Sequence, residues 1–247
     1  MSQVILITGA NRGIGKGLTG HYLARPNTTV IGTVRDASSE KAKELNTLPK
    51  GDGSRLIVVS LSADSPSSSA EAATEIQTQH GIDHIDVVIA NAGICDHWGP
   101  VVEATEEDVI SHFQVNTLGP LRLFKATAPL LQKASAPKFI YISTLLASIG
   151  EIGKFPSMTG PYGMSKAAGN FLVRKIHMEN DHLTTLSIDP GLVQTDLGDR
   201  SAQYYGMKNA PVTIADCVGG ITKVIDEAEK STTSGQFISF NGDKVIW

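Results

Sequence analysis

Short apolar segments alternate with longer amphipathic stretches along the whole chain. The apolar segments are 3–7, 29–34, 55–61, 85–90, 138–143, 184–189 and 235–240. Most of their consecutive residues are apolar, as expected of strands that are buried on both faces of a sheet. The amphipathic stretches lie near 14–25, 38–48, 67–80, 105–132, 162–179 and 213–229. This alternation predicts an α/β fold in which about seven parallel strands form a doubly wound sheet with helices on both faces.

Composition narrows the class of protein further. The 247 residues show no change of composition that would mark a second domain, so we predict a single domain over 1–247. A net charge of −4 with scattered Lys and Arg gives no electrostatic reason to bind nucleic acid or an anionic membrane. Cys95 and Cys217 form neither a disulfide framework nor a metal-ligand spacing. The first residues lack a signal-peptide pattern and no apolar run could span a bilayer, so we expect a cytoplasmic protein.

A glycine-rich turn follows the first predicted strand and leads directly into the first amphipathic stretch. Glycines allow the backbone to approach a pyrophosphate closely, and the helix that follows offers unpaired N–H groups. The spacing Gly-x-x-x-Gly-x-Gly differs from the Gly-x-Gly-x-x-Gly of the standard dinucleotide motif. We interpret the turn as the cofactor-binding loop of a Rossmann-type fold, and the alternative is a glycine turn without a ligand. Its candidate binding residues are Gly9, Asn11, Arg12, Gly13, Ile14 and Gly15.

The residues after the second predicted strand bear on the choice between NAD and NADP. An acidic residue about 20 positions beyond the glycines binds the ribose 2′-hydroxyl of NAD, whereas an arginine there accommodates the 2′-phosphate of NADP. Here Arg35 comes first and Asp36 follows. Arg12 in the glycine turn adds a second guanidinium, and guanidinium groups bind phosphate bidentately. We therefore favour NADP(H), and the alternative is that Arg35 and Asp36 are only solvated loop charges.

Small and polar residues recur where the later predicted strands end, which is the edge at which ligands bind in sheets of this type. Tyr162 and Lys166 lie four residues apart on one face of a predicted helix. A nearby ammonium lowers the pKa of a phenol from its ordinary value near ~10 and makes the phenol a usable acid. Asn116 lies inside a predicted helix, although asparagine is a poor helix former. The strand-end candidates are Asn91, Ala92, Gly93, Ser143, Thr144, Pro190, Gly191, Val193 and Thr195.

Together these motifs resemble those of the short-chain dehydrogenase/reductase family. The resemblance covers essentially the whole chain, and the motifs follow the family's order. The segments 193–196 and 241–247 are most similar to the carbonyl-reductase-like branch, which includes fungal norsolorinic acid ketoreductases. The resemblance implies an enzyme that acts on C=O and CH–OH groups.

The resemblance also implies a role for each matched residue. Tyr162 would donate a proton to the substrate carbonyl. Lys166 would lower the pKa of Tyr162 and hold the nicotinamide ribose, and Asn116 would keep a water in the proton relay. The remaining residues implied to contact the cofactor are Asn91 and Gly93 at the ribose, and Val193 and Thr195 at the carboxamide.

The sequence departs from the family pattern in three places. The strand-end serine is replaced by Thr144 with Ser143 before it, so either hydroxyl is a candidate for orienting the substrate carbonyl. Ser62 stands where an aspartate usually helps to hold the adenine. The spacing to Tyr162 is several residues longer than usual, and the extra residues lie in 150–161.

Three segments are predicted to form the substrate pocket: 94–100, 145–161 and 196–212. Segment 196–212 lacks clear periodicity, so we interpret it as a long loop. It acts either as a lid over the substrate or as a flexible surface loop without such a role. Aromatic side chains suit a hydrophobic or aromatic carbonyl compound, although ordinary packing is the alternative. The candidate pocket residues are Cys95, His97, Trp98, Leu145, Phe155, Met158, Tyr204 and Tyr205.

The hypothesis that best fits the sequence is an NADPH-dependent reductase of a ketone or aldehyde, reversible as an alcohol dehydrogenase. Two alternatives stay open: a non-redox enzyme that keeps NADP as a structural ligand, and an NADP-binding sensor on the same fold. The family often pairs subunits through the helices here at 105–132 and 162–179, which leaves a homodimer or a homotetramer open. No metal, nucleic acid or membrane partner is expected.

Overall fold

A computed structural model describes residues 3–154 and 158–247. Within these two ranges, seven strands form one sheet in the order β3-β2-β1-β4-β5-β6-β7, and every neighbouring pair is parallel. The order reverses between β1 and β4, which is where a doubly wound sheet opens a crevice for a ligand. The predicted fold class is confirmed. The strands are β1 (Gln3–Thr8), β2 (Thr28–Val34), β3 (Arg55–Ser60), β4 (Val87–Ala90), β5 (Lys138–Ile142), β6 (Thr184–Asp189) and β7 (Gln236–Ser239).

Eight α-helices connect the strands in the described part of the chain. None of these helices is long and apolar enough to cross a membrane. Short 3-10 turns lie at Glu44–Thr47, Val101–Glu103, Leu145–Ala147 and Ile152–Lys154. The α-helices are α1 (Gly13–Leu23), α2 (Glu40–Lys43), α3 (Ser68–Thr78), α4 (Glu106–Phe113), α5 (Gly119–Leu131), α6 (Gly160–Glu179), α7 (Asp196–Tyr204) and α8 (Ile214–Glu227).

Two layers of apolar side chains fill the space between the sheet and its helices. Consecutive strand residues face opposite layers, so that Leu6 packs in one and Ile7 in the other. The first layer includes Ile76 of α3, and the second includes Leu18 of α1 and Ile221 of α8. Because both faces are covered, the central strands are apolar on consecutive positions, which explains the uninterrupted apolar segments of the sequence.

The amphipathic stretch 105–132 differs from a single helix. α4 ends at Phe113, a π-helical turn spans Gln114–Leu118, and α5 begins at Gly119. Such π turns are rare and occur frequently at functional sites. This one contains Asn116, which is fully buried, so the irregularity coincides with a candidate site residue.

The segment 196–212 is not a structureless loop, and the prediction that it lacks regular structure was wrong over its first half. Asp196–Tyr204 forms α7. The hydroxyl of Thr195 accepts a hydrogen bond from Gly198 N at 3.1 Å, and Asp196 and Asp199 lie in the first turn. A threonine cap followed by acidic residues stabilises a helix start, and this signal was present in the sequence.

Candidate active site

The glycine turn packs too tightly for side chains. Gly9 and Gly13 have φ angles of +67° and +51°, in the left-handed region that favours glycine. A Cβ on Gly15 would lie 2.1 Å from the carbonyl oxygen of Gly9. The N-cap residue of α1, Arg12, makes no side-chain hydrogen bond to the first turn. The turn therefore presents a bare backbone and a helix N-terminus, which is an arrangement that fits a pyrophosphate.

The end of β4 is fastened to the glycine turn through Thr8. The Thr8 hydroxyl accepts hydrogen bonds from the backbone N–H groups of Asn91 and Ala92, both at 3.0 Å. The Asn91 amide donates in return to the Thr8 carbonyl at 2.8 Å. A Cβ on Gly93 would lie 3.1 Å from Asn116 Oδ1 and 3.3 Å from Lys166 Nζ. The structure thus brings three of the predicted motifs together at the carboxyl edge of the sheet.

The two candidate phosphate-binding arginines have exposed side chains. Arg35 follows the end of β2 and is exposed. Arg12 is 61% exposed at its side chain and lies 3.5 Å from Asp196 at the start of α7. Asp36 accepts hydrogen bonds from the N–H and hydroxyl of Ser38, at 2.8 and 2.6 Å, and these bonds lower the pKa of its carboxyl. The carboxylate is therefore engaged in its own turn, whereas the Arg35 guanidinium forms no ion pair within the described residues.

The π turn places Asn116 between two neighbouring segments. Its Oδ1 accepts from Ile94 N at 2.9 Å, and its Nδ2 donates to Ile94 O at 2.9 Å and to Ser165 Oγ at 3.0 Å. Its backbone carbonyl accepts from the Tyr141 hydroxyl at 2.8 Å. Asn116 thus links the segment after β4 to α6. The predicted water in a proton relay stays a prediction.

Tyr162 and Lys166 project from the first turns of α6 into the buried edge of the sheet. Pro161 lies in the first turn of that helix, where a backbone N–H would have no acceptor within the helix, so its absence loses no hydrogen bond. Lys166 Nζ donates to the carbonyl of Ile142 at 2.7 Å and lies 5.9 Å from the centre of the Tyr162 ring. The Thr144 hydroxyl lies close enough to the Tyr162 phenol to lower its pKa. Phenol, ammonium and hydroxyl thus form one cluster.

Burial dominates the electrostatics of this cluster. It raises the pKa of the Tyr162 phenol well above its usual value, and Cys95 and Asp189 raise it further, while the Thr144 hydroxyl lowers it. Burial also lowers the pKa of Lys166 to about 7. A net rise caused by burial does not test the separate effect of the ammonium, so the expectation that Lys166 lowers the pKa of Tyr162 stays a prediction.

The two strand-end hydroxyls have different surroundings. Ser143 Oγ donates to Asn170 Oδ1 at 2.6 Å, and Ser143 is only 2% exposed. Thr144 instead lies beside Tyr162, whose pKa it lowers, and its hydroxyl accepts from Leu146 N at 3.3 Å. Of the two candidates, Thr144 is the residue that belongs to the Tyr162 cluster.

The turn after β6 approaches the glycine turn. Pro190 follows the strand, and Gly191 has a φ of +75°. Val193 is buried, and its carbonyl accepts from Thr195 N at 2.7 Å. A Cβ on Gly13 would lie 3.2 Å from the Thr195 methyl group. The residues predicted to hold the pyrophosphate and the nicotinamide carboxamide thus lie on adjoining turns.

Comparison with known proteins agrees with this arrangement. Residues 3–205 match the family model described as short chain dehydrogenase. The chain belongs to the short-chain dehydrogenase family. It is an oxidoreductase, similar over 98% of its length to a norsolorinic acid ketoreductase of Dothistroma septosporum, with 45% identity and 91% of that protein covered. A second norsolorinic acid ketoreductase, from Emericella nidulans, is 43% identical over 99% of this chain and 93% of its own length.

Solved structures of carbonyl reductases have the same fold. The NADPH-bound carbonyl reductase from chicken fatty liver superposes with a TM-score of 0.86 at 30% identity, over 100% of this chain and 99% of that one. Carbonyl reductase Sniffer of Drosophila melanogaster gives a TM-score of 0.85 at 27% identity, over 100% of both chains. The predicted family and its carbonyl-reductase-like branch are both confirmed.

In this short-chain dehydrogenase, the three predicted pocket segments contact one another. Gly99 N donates to Met158 O at 2.8 Å, and Met158 N donates to the Tyr205 hydroxyl at 2.9 Å. The rings of Trp98 and Tyr204 lie 5.3 Å apart. His97, by contrast, approaches Asp108 of α4 at 3.4 Å. Phe155 lies outside the described residues.

Sequence reasoning missed three residues that organise the site. Arg200 on α7 donates to Cys95 O at 2.5 Å and ties the helix to the segment after β4. Asn170 holds Ser143, and Asp189 accepts from Leu145 N at 2.7 Å. Asn170 lies one helical turn beyond Lys166, so α6 itself could have suggested it. Nothing in the sequence distinguished Arg200 or Asp189 from ordinary charges.

Proposed function

We propose that this protein is an NADPH-dependent reductase of a ketone or aldehyde, reversible as an alcohol dehydrogenase. The observation that carries the proposal is the buried cluster of Tyr162, Thr144 and Lys166 at the carboxyl edge of the sheet, beside the glycine turn. A protonated phenol and a second hydroxyl can together hold a carbonyl oxygen. The family match and the ketoreductase relatives support the same reaction class.

The chemistry follows from the charge that develops on the substrate oxygen. When bound, the reduced nicotinamide supplies the hydride that adds to the carbonyl carbon. Thr144 and Tyr162 donate hydrogen bonds to the carbonyl oxygen, and Tyr162 then transfers its phenolic proton to that oxygen. Lys166 lies 5.9 Å from the Tyr162 ring, so its positive charge stabilises the phenolate that results. Burial favours the protonated form of Tyr162, and the proton is transferred when negative charge develops on the substrate oxygen. A phenol that starts out protonated favours the reduction direction.

The residues present fit a phosphorylated dinucleotide. The side-chain-free glycine turn at the start of α1 would hold the pyrophosphate. Arg35 and Arg12 would hold the 2′-phosphate, and Asp36 is engaged with Ser38. The other proposed contacts are Asn91, Ala92 and Gly93 after β4, Lys166 on α6, and Pro190, Gly191, Val193 and Thr195 after β6. NADPH- and NADP-bound structures with this fold support the same cofactor.

Cofactor choice gives a direct prediction. Arg35→Ala should weaken NADPH binding, since loss of a charge-assisted contact costs about 1.5–3 kcal/mol, or roughly 10–150-fold in dissociation constant. NADH binding should change little, because NADH carries no 2′-phosphate. Fluorescence titration with both cofactors checks this, with Asp36→Asn as the neighbouring control. Equal affinity of the parent for both cofactors would show that the arginine does not select the phosphate.

The proposed substrate is a hydrophobic, aromatic ketone. Trp98 and Tyr204 bring two aromatic rings to the junction of the pocket segments, and aromatic side chains favour planar apolar ligands. The norsolorinic acid ketoreductases that resemble this chain support a polyketide-derived aryl ketone. A panel of aryl and aliphatic ketones, followed by NADPH oxidation, tests this assignment. Turnover confined to small aliphatic carbonyls would contradict it.

We further propose that subunits pair through α4 and α6. Met164, Phe171 and Met178 are spaced seven residues apart on α6 and share one face, and Ile110 on α4 is also exposed. Phe171 is 73% exposed, which is unusual for so large an apolar side chain outside an interface.

Phe171→Asp should therefore lower the oligomeric mass, because it places a charge in the proposed interface. Size-exclusion chromatography with light scattering measures this directly. Ile149→Asp, at another exposed apolar position, serves as the control and should leave the mass unchanged. A parent protein that is monomeric at micromolar concentration would refute the proposed pairing.

A further inference from the structure

We propose that Asp189, the last residue of β6, is a positioning residue that holds Thr144 in a fixed relation to the turn 190–195. The proposal rests on the proposed function, because both segments belong to the proposed active site.

The first observation is a carboxylate shared between two segments. Asp189 is 7% exposed, and its Oδ1 accepts from Leu145 N at 2.7 Å. The carboxylate also accepts from the backbone N–H of Gly191. Leu145 directly follows Thr144, and Gly191 opens the turn that leads to Val193 and Thr195. One side chain thus links the backbone after the carbonyl-orienting hydroxyl to the backbone proposed to hold the nicotinamide.

The second observation is that Thr144 is fixed on its other side too. Ser143 Oγ donates to Asn170 Oδ1 at 2.6 Å, and Ser143 N donates to Ile188 O at 2.7 Å. The residues before and after Thr144 are therefore both anchored to α6 or β6. A β-branched threonine has few side-chain rotamers, so fixing its backbone fixes its hydroxyl. Catalysis depends steeply on such placement.

The third observation is that Asp189 forms no ion pair within the described ranges. Burial raises the pKa of its carboxyl, while its two backbone bonds lower it. Asp189 therefore acts through hydrogen bonds to the backbone, above all the bond to Leu145 N. An asparagine could accept that bond through its amide oxygen, whereas an alanine could not.

Three variants test the bond. Asp189→Ala removes the acceptor, and Asp189→Asn keeps an oxygen for Leu145 N. Leu145→Pro removes the N–H; Leu145 opens a 3-10 turn after the extended Thr144 (φ −164°, ψ 147°), a place where proline is tolerated. Asp86→Asn is the matched control, since Asp86 also accepts a strand N–H, from Val4 at 2.8 Å, before β4 begins rather than at the catalytic edge.

We expect kcat for ketone reduction to fall at least about ten-fold in Asp189→Ala and Leu145→Pro, and to stay at the parent value in Asp86→Asn. Asp189→Asn should recover most of the activity that Asp189→Ala loses, because it still accepts from Leu145 N. If Asp189→Asn loses as much kcat as Asp189→Ala, the bond to Leu145 N does not position Thr144.

Hydrogen exchange supplies a readout that does not depend on turnover. In Leu145→Pro, exchange of the amides in 190–195 should rise, although the altered residue lies in another segment. NADPH binding and a cooperative thermal transition verify folding of each variant. Unchanged exchange in 190–195 together with parent-like kcat overturns the proposal. If the parent binds NADPH but reduces no ketone, the proposed function fails, and the exchange result still decides whether Asp189 positions the two segments.

Discussion

Replacing Tyr162 by phenylalanine is expected to lower kcat about 10²–10⁴-fold, the usual contribution of a positioned acid. The substitution preserves the ring and its packing but removes the proton that the substrate oxygen must receive. NADPH affinity should change little, because the phenol is not the main anchor of the cofactor. Stopped-flow or steady-state NADPH oxidation with the best ketone measures the effect.

Lys166→Ala is the informative companion to this variant. It should reduce both turnover and NADPH binding, because one ammonium is proposed to serve both. Thermal melting shows whether either variant is misfolded. A Tyr162→Phe protein that reduces its best ketone at nearly the parent rate would remove Tyr162 from the mechanism.

The second large effect is expected at Thr144. Thr144→Val keeps the shape and removes the hydroxyl, so kcat should fall about 10²–10³-fold, as it does when one oxyanion donor is lost. Thr144→Ser retains a hydroxyl and should recover most of the activity. The structure motivates this choice because the Thr144 hydroxyl lies beside the Tyr162 phenol and lowers its pKa.

Ser143→Ala provides the matched control one residue away. Its hydroxyl bonds to Asn170 in the buried interior, so its loss should cost about 1–3 kcal/mol of stability with a smaller effect on kcat. The expected result is a crossed pattern, in which Thr144→Val loses turnover and Ser143→Ala loses thermal stability. If Ser143→Ala loses more turnover than Thr144→Val, the neighbouring hydroxyl is the one that orients the carbonyl.

Much of the fold could be predicted because burial on both faces of the sheet leaves a strong pattern. Each of the seven apolar segments matches a strand to within two residues at either end, and the motifs at their ends fall at one edge, as parallel strands require. Tyr162 and Lys166 were predictable as a pair because helical spacing places them on one face. Thr144 was one of two open candidates, and only the packing of Ser143 against Asn170 separates them.

Other features depend on tertiary contacts that leave no periodic signal. The π turn at Gln114–Leu118 follows from bonds that Asn116 makes to Ile94 and Ser165, which come from other segments. Burial raises the pKa of Tyr162, and its degree of burial is set by the assembled site. In the sequence, Asp189 is recognisable only as a carboxylate at the end of a strand. Its bond to Leu145 N, which follows β5, forms only because β5 and β6 pair side by side in the folded sheet.

The central claim is that this chain transfers a hydride from NADPH to a carbonyl carbon. The most direct test uses NADPH deuterated at the transferable C4 position, an aryl ketone and the parent enzyme, followed by mass spectrometry of the product. The account predicts an alcohol with one deuterium on its carbinol carbon and one equivalent of NADPH oxidised for each alcohol formed. A product without deuterium, or product formation while the NADPH absorbance stays constant, would contradict the account and favour a non-redox reaction on this fold.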